Sequence, residues 1–197
     1  WQETQPIEGT IAEKYLRETR CLGDVFIPPD IRFHPALHHK QSGKKYPAML
    51  TAVRDLRSKE LKGIHRTFLN PESCNKAYVE PNKMMLGNVC GTGVIIGSLF
   101  NPTFVCEGIE TALTLHLETG YPVIAALSAS NMKKLILPQI SVASSLIIAA
   151  DNDDNLAGLK AAQSLAARAD LQGYKVKIIT PPQGYSDFND ILMEKKK

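Results

Sequence analysis

Residues 147–162, IIAADNDDNLAGLKAA, end an apolar run in Asp151, Asp153 and Asp154 and then resume in what reads as a helix. Three acids in four positions repel one another, and a cation that cancels their charge is the simplest reason to gather them. A second apolar run, TFVC at 103–106, closes on Glu107 and Gly108. A third acidic group, Asp187 and Asp190 around Asn189, lies in GYSDFNDIL at 184–192. Carboxylate oxygens without Cys or His are hard ligands, and they favour Mg²⁺ or Mn²⁺ over zinc. Gly108 leaves the backbone bare for a phosphate or for a helix start.

Other uses of these acids compete. A calcium loop beginning at Asp151 needs Gly at position 156 and Glu at 162, where the chain has Leu156 and Ala162. An aspartyl nucleophile in an Asp-x-Asp motif usually follows the first strand of its fold, and here the strand is the third. Helix capping explains one acid, and Asp154 is assigned to it, but one cap does not need three. Asp187 either brings a further acid to the same place or caps a terminal helix.

The elements that must carry these residues alternate. TFVC, PVIAAL (122–127), SSLIIAA (144–150) and KVKII (175–179) read as strands that are apolar throughout. Between them lie the helix IETALTLHLETG closed by Gly120, a short helix NMKKLIL stopped by Pro138, and a long helix over 156–173. The long helix presents an apolar face through Leu156, Leu159, Ala162, Leu165, Ala166 and Ala169. Such alternation implies a parallel sheet covered on both faces, with its site beyond the carboxyl ends of the strands. If the first and third strands are neighbours, Glu107 and Asp151 emerge at one edge, and Asp153 turns back to the same pocket.

The first half has a different texture. Residues 11–20 read as a short amphipathic helix. Six prolines between positions 28 and 81 then punctuate short strand-like pieces such as PAMLTAVRD and KGIHRTFL. This is a smaller mixed α/β, β-rich module, and the turn at Asn101-Pro102 sets the expected division at 1–100 and 101–197. GTGVIIG (91–97) runs into β-branched residues with no following helix, so it is no dinucleotide loop. His34, His38 and His39 surround Pro35, which breaks the helical spacing a metal pair would use.

The net charge of +3 conceals an asymmetry. Residues 1–100 carry 14 Lys and Arg against 10 Asp and Glu, whereas residues 101–197 carry 9 against 10. A basic half beside an acidic site suits a polyanion, nucleic acid first. The alternative is a solvated basic surface, and Lys44-Lys45 either tracks nucleic acid or forms a basic turn. Four cysteines without CxxC spacing point to a reducing, cytoplasmic setting. No run approaches the roughly 18 apolar residues of a membrane span, and no signal peptide is seen. The chain starts at Trp1, as an excised fragment would.

Together these motifs resemble the Toprim domain shared by bacterial primases, topoisomerases and related nucleases. VCEGIETAL resembles that family's strand–Glu–Gly motif, IIAADNDDNLAG its Asp-x-Asp motif, and SDFNDIL the third acidic element of the primase branch. Upstream, IRFHPAL, YPAML, GIHRTFL and NKMMLG follow the order found in the bacterial primase polymerase core. Two positions depart from the pattern. Thr111 holds the place of the family's second acid, with Glu110 one residue earlier, and Asn189 stands where primases often have Asp.

The resemblance implies a four-stranded parallel Toprim sheet flanked by helices and preceded by the basic module. It implies a primase-type nucleotidyltransferase of plasmid, phage or integrated-element kind that makes RNA primers on single-stranded DNA from ribonucleoside triphosphates. Asp151, Asp153 and Asp187 would hold Mg²⁺ or Mn²⁺, with Glu107 as proton-transfer group or further ligand. Arg66 and Lys83 would face nucleotide and template. A helicase or flanking zinc-binding domain would be a partner, and no membrane would be involved. The same acids serve phosphodiester hydrolysis in Toprim nucleases, and a binding module with a vestigial metal site is the third possibility.

Overall fold

The computed structural model describes residues 1–153 and 155–196. Asp154, expected to cap a helix, and Lys197 lie outside the described residues. The chain forms two compact units: Trp1–Val53 with Lys62–Val89, and Arg54–Leu61 with the chain from Cys90 onward.

The first unit is built on an antiparallel sheet of β1 (Ile31–His39), β2 (Lys44–Arg54), β3 (Leu61–Phe68) and β4 (Lys83–Gly87), in that order. These strands are longer than the proline-punctuated sequence suggests. Pro35 sits in edge strand β1, where the pairing with β2 slips between His34 and Leu37. A bulge at an edge tolerates the missing N–H that a central strand would need. One face of the sheet carries Ala48, Leu50, Ile64 and Phe68, with Ala77, Val79 and Met84 packed on them. The expected helix over 11–20 is a single α-turn, α1 (Ile11–Lys14), which widens into a π-turn at Tyr15–Thr19 and buries Tyr15 and Leu16. Thr10 caps it by accepting the Glu13 N–H at 3.4 Å.

The second unit follows the expected alternation: β5 (Val94–Ile96), β6 (Thr103–Cys106), α2 (Ile109–Thr119), β7 (Val123–Ala125), α3 (Ala129–Lys134), β8 (Ser145–Ala149), α4 (Ala157–Asp170), β9 (Lys175–Ile179) and α5 (Phe188–Lys195). The sheet order is β5-β7-β6-β8-β9, with β7, β6, β8 and β9 mutually parallel. The four-stranded parallel core therefore stands as expected. β5 adds a fifth strand, antiparallel to β7, with Val94 opposite Ala125. GTGVIIG is thus an edge strand with its approach.

Arg54 and Gly93 exchange two backbone hydrogen bonds, at 2.9 and 3.0 Å. Residues 54–61 and 90–100 pack with the second unit, which also contains the turn at Asn101-Pro102.

The core of this unit joins Val105, Ile124, Leu146 and Ile148 of the sheet to Met132, Leu135, Ala161, Ala162 and Leu165. Leu156, expected on the apolar face of the long helix, is instead 48% exposed at φ +56°, just before α4 begins. α2 ends as its glycine foretells: Gly120, at φ +71°, donates its N–H to the His116 carbonyl. No helix among the described residues is long and apolar enough to cross a membrane.

Candidate metal centre at the carboxyl edge of the parallel sheet

Three chain segments leave the sheet at the same edge. β6 and β8 run parallel with Val105 opposite Ile148, so continuing the register sets Glu107 beside Ala150 and Asp151 one step beyond. β9 lies on the other side of β8, and the Ala150 N–H donates to the Ile179 carbonyl at 2.9 Å. Past the strands the Asn152 N–H donates to the Ser186 carbonyl at 2.7 Å, which ties the Asp151–Asp153 turn to the residue before Asp187. The ladder on the β7 side also runs one residue too far: the Leu127 N–H, on a backbone at φ +71°, donates to the Glu107 carbonyl at 2.8 Å.

The charges report the same convergence. The Cys106 thiol, fully buried at the end of β6, is pushed well above its ordinary value by burial first, then by Asp151, Asp187, Glu107 and Glu110. Every charged group acting on it is an acid. Burial also raises the Asp187 carboxyl, helped by the neighbouring Asp190 and Glu110 charges and opposed by the N–H groups it accepts. A donor set made of carboxylates alone, on three segments at one edge of the sheet, has the chemistry that a hard divalent cation takes. Among the described residues, no three His, Cys, Asp or Glu side chains stand close enough to form a ready cage.

Several of these acids also serve local structure. Asp153 Oδ2 accepts the Gly158 N–H at 3.2 Å in the first turn of α4. That contact needs Gly158: a Cβ there would lie 2.8 Å from the Asp151 carbonyl oxygen and 3.3 Å from Asp153 Oδ2. Asp187 is the N-cap of α5, where Oδ1 accepts the Asn189 and Asp190 N–H groups and Asp190 returns a bond to close a capping box. Of the two sequence alternatives for Asp187, the helix cap is the one its hydrogen bonds make, while its charge acts on Cys106. Asn189 is fully buried and donates to Thr114 Oγ1 at 3.0 Å, which fastens α5 to α2.

Gly108 is the N-cap of α2 with an extended backbone. A Cβ there would meet Thr111 Oγ1 at 3.5 Å, an ordinary contact, so packing does not demand the glycine. Glu110 was absent from the expected site. It is 5% exposed in the first turn of α2, and its charge reaches both Asp187 and Cys106. Its place one turn after Glu107 in EGIE was the available signal.

The basic candidates lie in the first unit and do not form one patch. On β3 and β4, Arg66 pairs with Met84 and Thr67 with Lys83. Neighbouring positions point to opposite faces, so Arg66 and Lys83 leave the sheet on opposite sides. Arg66 donates Nη2 to the Met85 carbonyl at 3.1 Å, while its Nε is buried without an acceptor among the described residues. Burial lowers the pKa of this guanidinium. Lys44 and Lys45 are exposed at the start of β2, opposite His39 and His38. His39 is fully buried, bonded to Ser42 and the Pro81 carbonyl, and serves the core.

Comparison with known proteins agrees with this architecture. Residues 103–197 match the family model of the Toprim domain, and residues 1–96 match a domain of unknown function. No curated protein sequence matches. Among solved structures, the chain resembles a DnaG primase catalytic domain bound to single-stranded DNA, with TM-score 0.58 and 17% identity over 97% of this chain and 71% of that one. The E. coli primase catalytic core gives TM-score 0.58 and 14% identity, over 96% of this chain and 72% of that one. The Aquifex aeolicus primase, with zinc-binding and RNA polymerase domains, gives TM-score 0.58 and 18% identity, over 95% and 53%. The chain thus spans 53% to 72% of the length of these structures.

Proposed function

We propose that this chain, a Toprim-domain protein with the fold of a bacterial primase catalytic core, is a metal-dependent nucleotidyltransferase that makes RNA primers on single-stranded DNA. The observation that supports this most is the meeting of Glu107, Asp151 and Asp187 charges at one strand edge, around Cys106. Asp151, Asp153 and Asp187 would hold one or two Mg²⁺ or Mn²⁺ ions, and Glu110 stands near enough to add to their field. Such ions, when bound, stabilise the attacking and leaving oxygens of an in-line displacement. Glu107, aimed from the first strand end, would accept the proton of the attacking hydroxyl. The N-terminal end of α2 at the half-buried Gly108 would offer a place for a phosphate.

In the basic module Arg66 has a buried donor still open to an acceptor, which suits a phosphate oxygen. Lys83 on the opposite face, and Lys44 and Lys45 on the hairpin, would neutralise template phosphates. The substrates would be ribonucleoside triphosphates and a DNA single strand. The setting would be the cytoplasm and a replication or conjugation protein of a mobile element, with a helicase or zinc-binding domain alongside. A second reading, a nucleic-acid-binding module with a vestigial metal site, draws on the capping duties of Asp153 and Asp187.

The test is to incubate the protein with single-stranded DNA, labelled ribonucleotides and Mg²⁺ or Mn²⁺. Short RNA that disappears in Asp151→Asn supports the primase. Shortened DNA identifies a nuclease, and neither product from wild-type protein leaves the binding module.

A further inference from the structure

Tyr78 is 86% exposed, more than any other Phe, Tyr or Trp among the described residues. Its exposure is built into the first unit rather than left to a loose loop. The Ala77 N–H donates to the Phe68 carbonyl at 2.8 Å, and the Phe68 N–H donates to the Asn82 carbonyl at 2.9 Å, so the strip is laced to the end of β3 on both sides of Tyr78. Ala77 is buried and Val79 packs on the same core cluster. With its two neighbours anchored inward, the tyrosine between them is forced outward. Its hydroxyl makes no hydrogen bond among the described residues.

Two clefts border this strip. One, of about 340 Å³, is lined by Asn75, Lys76, Tyr78, Glu80 and Asn82. The other, of about 310 Å³, is lined by Tyr46, Asn70, Glu72 and Tyr78. Both reach the low end of small-ligand sites, roughly 300 Å³. Amides dominate the polar lining, and the two acids outnumber the single lysine, which disfavours a phosphate here. An uncharged planar ring fits: Tyr78 supplies a face for stacking, Asn82 supplies a donor and an acceptor for a base edge, and Asn70 and Asn75, whose Oδ1 atoms already accept local N–H groups, add donors.

We propose that Tyr78 is a stacking platform for an unpaired nucleobase, so that the basic module grips a single strand by a base as well as by its phosphates. This rests on the reading that the chain binds single-stranded DNA. Stacking on an aromatic face does not release counterions, whereas phosphate contacts do. The two kinds of contact therefore separate in a salt titration.

The experiment follows anisotropy of a labelled oligothymidine from 50 to 300 mM salt, on the order used for such titrations. Tyr78→Ala weakens binding about tenfold or more at every salt concentration with the slope of log K against log salt unchanged. Tyr78→Phe retains the wild-type affinity. An oligonucleotide of abasic sites binds the wild type as weakly as oligothymidine binds Tyr78→Ala, and Lys44→Ala with Lys45→Ala lowers the slope instead. Wild-type affinity in Tyr78→Ala, or a shallower slope in it, overturns the platform while leaving the primase reading intact. If the wild type binds no single strand, both fall together.

Discussion

Gly158→Ala tests the joint between the Asp151–Asp153 turn and α4. In an ordinary helix interior the change stabilises by roughly 1 kcal/mol, because alanine has the higher helix propensity. Here the new Cβ would sit 2.8 Å from the Asp151 carbonyl oxygen and 3.1 Å from its nitrogen. Both are backbone atoms, so no side chain can swing away, and overpacking of this kind costs roughly 1–3 kcal/mol. The hydrogen bond from Gly158 to Asp153 is lost as the turn shifts, a further cost of about 1 kcal/mol. The net expectation is a loss of roughly 1–3 kcal/mol, opposite in sign to the propensity rule. For a chain of this size each kcal/mol moves the melting temperature by roughly 2–4 °C. Calorimetry reads the stability, and titration calorimetry with Mn²⁺ reads the turn: affinity falls because Asp151 and Asp153 are pushed out of place. A variant that melts higher than wild type and binds Mn²⁺ equally well would refute the close approach and the role given to the turn.

Three further outcomes are expected. Asp187 titrates above its ordinary value of 3.8 in the fold, so its contribution to stability is full below that value and is lost as pH rises through the native one. Asp187→Asn keeps the cap and removes this loss, whereas Asp187→Ala costs roughly 0.5–2 kcal/mol. Urea denaturation in EDTA checks this, and an advantage of Asp187→Asn that fails to grow from pH 4 to 7 counts against it. Asn131→Ala strips the Gly91 N–H and the Thr92 and Ala126 carbonyls of partners now held at 2.7, 2.9 and 2.8 Å. At roughly 1–3 kcal/mol per buried group it destabilises by about 3 kcal/mol or more, and a smaller change in denaturation would show that water replaces the amide. Glu107→Gln loses primer synthesis more than Mn²⁺ affinity; equal loss of both would make Glu107 a ligand.

Much of the second unit was legible because its elements follow short-range rules. The strands TFVC and KVKII occupy the expected residues, and Gly120 closes α2, since an apolar run and a left-handed glycine act within a few positions. The first unit was less legible. Its proline punctuation hid a long antiparallel sheet, because a proline in an edge strand or a bulge costs little once the neighbouring strand exists. Leu156 was misread for a similar reason: periodicity extends a helix backward until something stops it, and here the turn that must present Asp151 and Asp153 did.

The amino-acid order by itself determined the kinds of element and the acids at their ends, since strand and helix periods are properties of consecutive residues. Only the folded chain decided that β8 lies between β6 and β9, so that Glu107, Asp151 and Asp187 leave the sheet at one edge, that the Glu110 charge acts there too, and that Arg66 and Lys83 part company across a sheet. Strand order and register join residues tens of positions apart, and no local pattern encodes that pairing.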